Sequence, residues 1–182
     1  MNQSIRTDKL KESLVLPFFS FDVYETLKKA RRLFPELDST LIRVWIQPQE
    51  TLAFIRSIDT QHTIYLHEIL NHPDTPEEVI EFIFIHELIH TRIPGRKIKG
   101  VMKMHPPEFI EEEKRLAPDS SNCMGWIYIN LGAHIYVNKK REKIVVKKEW
   151  EKSKKGGRYL SYQEYMEKFG IKNTAPPNDM LL

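Results

Sequence analysis

The run "PEEVIEFIFIHELIHTR", from Pro76 to Arg92, constrains this chain more than any other stretch. Val79, Ile80, Phe82, Ile83, Phe84, Ile85, Leu88 and Ile89 place apolar side chains nearly all round a helix. A helix of that kind must be covered on every side, so the remaining elements have to assemble around it. Its ends are marked. "NHPDTPEEV" supplies Thr75 as an N-cap, Pro76 at the first helical position and Glu78 three residues after the cap, the pattern of a capping box. Pro94 and Gly95 stop the helix after Arg92.

Burial turns the three polar residues of "HELIH" into an energetic question. Each unpartnered polar group in such a place costs on the order of 1–3 kcal/mol, and an ionised carboxylate costs more. His86 and His90 are four apart, so they stand one turn above each other and can aim imidazole nitrogens at one point, with Glu87 beside it. This is the zincin arrangement: two neutral imidazoles bind Zn2+, and a glutamate too offset to be a ligand serves as acid/base. A catalytic zinc needs a third protein ligand and one open position. His105, fifteen positions after His90 and directly before Pro106 and Pro107, is favoured because a residue held rigidly ahead of a Pro-Pro helix start is well oriented. Glu108, Glu111 and Glu112 on the helix expected from Pro107 to Leu116 compete with it, since many zinc peptidases take their third ligand from such a glutamate.

The rest of the chain reads as a mixed fold. Ser20 is the expected N-cap of a helix "FDVYETLKKARRLF", with Phe21, Tyr24, Leu27, Ala30, Arg31 and Phe34 on one mostly apolar stripe. "LIRVWIQ", "TLAFIRSI" and "HTIYLHEIL" are β-branched and aromatic runs between turn residues, which predicts three consecutive strands in an antiparallel meander. "GWIYINLGAHIYVNKKREKIVVKKEW" predicts two or three more. The expected class is α+β: a small antiparallel sheet on the buried helix, with a C-terminal β-hairpin or three-stranded appendage. The division is residues 1–118 for the core, 119–150 for the β appendage, and 151–182 for a basic linker, short helix and tail.

Length and composition fit one compact domain, with 182 residues of which 41% are hydrophobic. The one cysteine, Cys123, excludes an intramolecular disulfide and a cysteine-rich zinc knuckle, making a reducing compartment the default. The N-terminal apolar run "LVLPFF" is short, carries Pro17 and lacks a cleavage site, so it reads as mature sequence. No run reaches membrane-span length, which predicts a soluble, cytoplasmic protein with no membrane partner. Net charge is only +3, yet Asn138 to Arg158 carries ten Lys/Arg against three Glu, and Thr91 to Lys103 adds Arg92, Arg96, Lys97, Lys99 and Lys103. Such clusters form either a solvated face or a footprint for DNA phosphates, with Lys139, Lys140, Arg141, Lys147 and Lys148 the contacts in the second case. His62, His67, His72 and His134 are structural or surface histidines by default, with His67 also a candidate for touching substrate.

"IYLHEILNHPDTPEEVIEFIFIHELIH" followed by "HPPEF" resembles the SprT-like and YgjP-like zinc metallopeptidase group over about Thr63 to Leu116. The resemblance implies His86, His90 and His105 as zinc ligands, Glu87 as catalytic acid/base, and Phe109 as the aromatic packed behind the third ligand. The loop between the second and third ligands is longer and more basic than in compact members. Cys123 alone cannot make the C-terminal zinc ribbon of many SprT proteins, so the β appendage would be a cysteine-free relic of it. The implied reaction is peptide hydrolysis on a protein or peptide substrate, on DNA-associated proteins if the basic segments bind DNA. Substrate is expected to lie along "HTIYLHEIL" if that strand is a sheet edge. Tyr128, Tyr136 and Arg92 are unranked candidates for stabilising the transition state. Two other readings stand beside this one: a zinc hydrolase of a nucleotide or other small substrate, and a non-catalytic nucleic-acid or protein interaction module.

Overall fold

The computed structural model describes residues 17–153 and 158–171. The N-terminal run through Leu16, Lys154 and Lys155 of the basic segment, and the tail from Lys172 lie outside the described residues. The class is α+β. The first helix, α1 (Val23–Arg31), starts on Asp22, not Ser20: the Asp22 side chain accepts from the backbone N–H groups of Tyr24 and Glu25 at 2.8 and 3.3 Å. A carboxylate at that position also meets the positive end of the helix dipole, which a serine would not. The buried stripe is Val23, Thr26, Leu27 and Ala30, with Tyr24 left 55% exposed.

Three strands follow, β1 (Leu41–Gln47), β2 (Ala53–Ile58) and β3 (Gln61–His67), but they do not form the expected meander. Their order is β1-β3-β2: β1 runs parallel to β3, pairing Leu41 with Gln61 through Gln47 with His67, and β2 is antiparallel to β3. Burial explains the order. Ile64 and Leu66 of β3 are fully buried and Ile42 and Ile46 of β1 nearly so, whereas β2 is half-buried and then exposed from Arg56 onward. The most buried of the three strands takes the centre, and the least buried, β2, is left at an edge, where one side lacks a strand partner. The expected strand "HTIYLHEIL" is therefore central over His62 to His67, with its backbone paired on both sides, and its last three residues, Glu68–Leu70, turn away as a 3-10 helix.

The central helix α2 (Glu77–Arg92) packs against α1, β2, α3 (Pro107–Leu116) and α4 (Ser120–Leu131), which is how a helix with no polar face is accommodated. Its start differs from expectation. Pro76 is the N-cap, no side chain caps the helix, and Thr75 Oγ1 is buried without a hydrogen-bond partner, so no capping box forms. The first turn is instead tied to α1 by Glu77, which accepts from Thr26 Oγ1 at 3.0 Å and from Lys29 Nζ at 2.7 Å.

Between α2 and α3 a two-stranded hairpin, β4 (Arg96–Ile98) and β5 (Val101–Lys103), projects outward. Lys99 and Gly100 both have positive φ (49° and 80°), the conformation a tight type I′ turn demands. After α3, the run from Gly125 to Leu131 is helical, not a strand: Cys123, Trp126, Ile127 and Leu131 are buried at helical spacing in α4 while Tyr128 and Ile129 are exposed. The β-branched and aromatic composition suggested strands, but the burial period is that of a helix. The second hairpin, β6 (Ile135–Asn138) and β7 (Lys143–Val146), leans on the segment leading into β2, with Leu52 N donating to Ile144 O at 3.1 Å and Val146 N to Glu50 O at 2.9 Å. Two short helices, α5 (Trp150–Ser153) and α6 (Tyr162–Lys168), complete the described chain. A single hydrophobic cluster reaches from Val23 to Met166.

Candidate metal centre

Helical geometry sets the first half of the site. His86 and His90, one turn apart on α2, have ring centroids 5.2 Å apart. The chain then leaves through β4 and β5 and returns at His105, whose ring centroid lies 4.9 Å from His86 and 5.1 Å from His90. Nε2 of His86 and Nε2 of His105 are 3.1 Å apart, and ring nitrogens of all three histidines fall within 4.8 Å of one another, a cluster that could hold a metal ion. The ring of Phe109, fully buried in the first turns of α3, packs against all three imidazoles with centroids 5.0, 4.5 and 4.7 Å from His86, His90 and His105. An aromatic plate under three rings limits the orientations they can take.

No glutamate joins the cluster among the described residues. Glu108 pairs with Arg96, Glu112 pairs with Arg92 and Arg115, and Glu111 is exposed. The α3 carboxylate that does reach the site is Glu113, which sequence reasoning passed over: its Oε1 accepts from His86 Nδ1 at 2.5 Å. Glu113 stands four residues after Phe109, on the same helix face, and that spacing was the available signal. A carboxylate on Nδ1 holds the proton there and leaves the Nε2 lone pair free to face the cluster.

Electrostatics favour the neutral form at two of the three rings. Burial, followed by the neighbouring His86 and His105, takes His90 down to about 3. Burial, followed by His86, takes His105 down to about 4. Both rings are thus neutral at pH 7, as ligands must be. For His86 burial also opposes the charged form, but the Glu113 bond and the charges of Glu87 and Glu113 outweigh it and hold its pKa above the usual value. Glu87 is only 5% exposed. Burial raises its pKa, against the opposing pull of His86, the Ile55 N–H that hydrogen-bonds it, and Lys143.

The site opens into a cavity of about 640 Å³. One wall is the edge strand from Leu52 to Ile55; the others are Phe82 and Ile83 of α2, Met124, Ile127 and Tyr128 of α4, and Val137 and Ile144 of the second hairpin. Lys143 is the one lysine or arginine in the described lining. Of the residues considered for the transition state, Tyr128 lines this cavity; Tyr136 does not, and Arg92 is held by Glu36 and Glu112 at the surface. The other histidines stand elsewhere: His62 against Ser57, His67 buried against Trp150 with its Nδ1 accepting from Ile69 N, His72 against Tyr159, and His134 at the foot of β6.

Much of the basic charge is paired internally. Arg96, Lys103 and Arg141 make ion pairs with Glu108, Glu142 and Glu50, and Lys147 Nζ donates to Ala133 O. No helix among the described residues is long and apolar enough to cross a membrane. Comparison with protein-family models, with curated proteins and with solved structures finds no match to this chain.

Proposed function

We propose that the chain is a zinc-dependent metallopeptidase of the zincin type, resembling the SprT-like group. The observation that carries this reading is the meeting of His86, His90 and His105 nitrogens beside a buried Glu87 in an open cavity. The donor set fits zinc. Nitrogens bound at about 2.0–2.1 Å on tetrahedral vertices stand roughly 3.3–3.4 Å apart, close to the 3.1 Å between His86 Nε2 and His105 Nε2. Three protein ligands also leave the fourth position that catalysis requires. Zinc, when bound, would supply Lewis-acid polarisation of a carbonyl and acidify a water at neutral pH.

The chain's own residues perform the remaining work. Glu87, its pKa raised by burial, takes a proton from the attacking water and hands it to the leaving amine. Glu113 keeps His86 in the ligating tautomer. Substrate lies extended against β2, whose outer edge has no strand partner beyond Thr51 among the described residues. The apolar wall of Phe82, Ile83, Met124 and Ile127 suits a bulky apolar side chain of that peptide. A nucleotide would need more cationic lining than Lys143 provides.

The test is metal content together with hydrolysis of an unstructured protein. Wild type should carry about one zinc per chain, and replacing both His86 and His90 by Ala should remove it. Glu87→Gln should keep the metal and lose roughly 10²–10⁴-fold in turnover. Full turnover in Glu87→Gln, or full zinc occupancy in the double histidine variant, would overturn the proposal.

A further inference from the structure

His86 and His90 are held by helix α2, but His105 belongs to a loop. It lies between the end of β5 at Lys103 and the start of α3 at Pro107, and the hairpin before it is loosely attached, with Val101 and Met102 at 56% and 50% exposure. Pro106 and Pro107 restrict the backbone after His105 but have no N–H with which to anchor it. The anchoring donors of this stretch are its own N–H and that of Met104, and both point to one acceptor on a distant part of the chain. Glu142 Oε2 accepts from Met104 N at 3.1 Å and from His105 N at 3.2 Å, while Glu142 Oε1 accepts from Lys103 Nζ at 2.6 Å. Three consecutive residues thus converge on a single carboxylate.

We infer that Glu142 is a positioning residue for the third metal ligand, an inference that rests on reading the three histidines as a metal site. Two further features support it. Glu142 occupies the turn of the β6–β7 hairpin at φ 53°, a left-handed conformation that glutamate rarely adopts and that Asn or Gly would take at less cost. A strained glutamate kept in a turn is explained by what its side chain reaches. Its Oε2 also stands 3.9 Å from His105 Nδ1, on the side of the ring opposite the Nε2 that faces His86. The carboxylate therefore sets both the backbone and the ring face of His105, while Lys103 balances its charge. Since β7 is hydrogen-bonded to the segment leading into β2, the clasp also fixes the third ligand relative to the edge strand.

The experiment uses the full chain with Glu142→Gly, Glu142→Asn, Glu142→Gln and Lys103→Ala, with His105→Ala as reference. Zinc affinity is read by chelator competition, coordination by the visible absorption of the Co2+ form, and folding by the metal-free melting midpoint. Gly and Asn suit the backbone of the turn but cannot reach the loop, so both should lose about 10–100-fold in zinc affinity, the range of lost outer-shell partners. Their cobalt spectra should move toward that of His105→Ala, while a cooperative metal-free melt shows that both variants still fold. Gln keeps an acceptor at the same reach and Lys103→Ala keeps both backbone bonds, so each should stay within about threefold of wild type. Wild-type zinc affinity and an unchanged cobalt spectrum in Glu142→Gly and Glu142→Asn overturn the inference. So does a loss in those two variants matched by Glu142→Gln. Wild type failing to bind zinc overturns the metal site itself, and the positioning role with it.

Discussion

Replacing Glu113 by Gln isolates one charge in the site without changing its shape. The Glu113 carboxylate accepts from His86 Nδ1 at 2.5 Å, both side chains being largely shielded, at 17% and 25% exposure. A hydrogen bond to a charged group in such a place is worth about 1.5–3 kcal/mol. At 1.4 kcal/mol per decade, zinc affinity at pH 7.5 should weaken by about 10–150-fold if that stabilisation passes to the ligated imidazole. The pH dependence gives a second, independent signature. Glu113 raises the His86 pKa, so in wild type a proton competes with the metal for His86 more strongly as pH falls. The Glu113→Gln substitution weakens that competition as it removes the charge. The gap between wild type and variant should therefore be widest at neutral pH and narrow toward pH 5.5. The assay is competition with a chromophoric chelator across that range, with Glu112→Gln, on a neighbouring ion pair that does not touch the histidines, as control. A gap below twofold at pH 7.5, one that widens on acidification, or an equal loss in Glu112→Gln would refute the argument.

Phe109→Ala should destabilise the metal-free protein by about 3–5 kcal/mol, because a fully buried ring is lost, and should weaken zinc binding beyond that, because all three imidazoles rest on the ring; denaturant melts and chelator competition measure the two effects separately. The Lys29 bond, followed by the Thr26 bond against the opposing effect of burial, holds the Glu77 carboxyl below its usual pKa. A depressed folded-state pKa gives stability that is present above the unfolded value near 4.5 and disappears as pH falls through the folded value, so the difference in melting midpoint between wild type and Glu77→Gln should shrink steadily below pH 4.5. DNA binding is the partner suggested by the basic segments, but of the five candidate contacts Arg141 is paired with Glu50 and Lys147 donates to Ala133 O, which leaves Lys139, Lys140 and Lys148 exposed with neither an ion pair nor a hydrogen bond described for the side chain and outside the cavity. Three contacts predict a log-log salt slope of about −2.7 on duplex; a slope near zero, or one unchanged when the three are reversed to Glu, discards DNA as a partner.

What the sequence determined by itself lies within a few residues of chain. The all-round apolar helix, its end at Pro94 and the shared direction of His86 and His90 follow from a period of 3.6, which neighbouring residues impose on one another wherever the helix is placed. Even there, local rules misjudged details that neighbours decide: Thr75 loses its capping role where Glu77 is drawn to Lys29 and Thr26 on α1. Strand order was illegible, because adjacent runs with short loops suit a meander and only competition for burial puts β3 between β1 and β2. Gly125 to Leu131 has strand-like composition and becomes helix because α2 needs a partner there. The tertiary structure alone decides which of His105, Glu108, Glu111 and Glu112 comes nearest to His86 and His90. It also brings Glu113 to His86, Glu142 to His105 and Lys143 to the cavity. The meetings of His90 with His105, Glu113 with His86 and Glu142 with His105 close loops of 15 to 37 residues, and their geometry depends on how separate elements pack, which no short window of sequence contains.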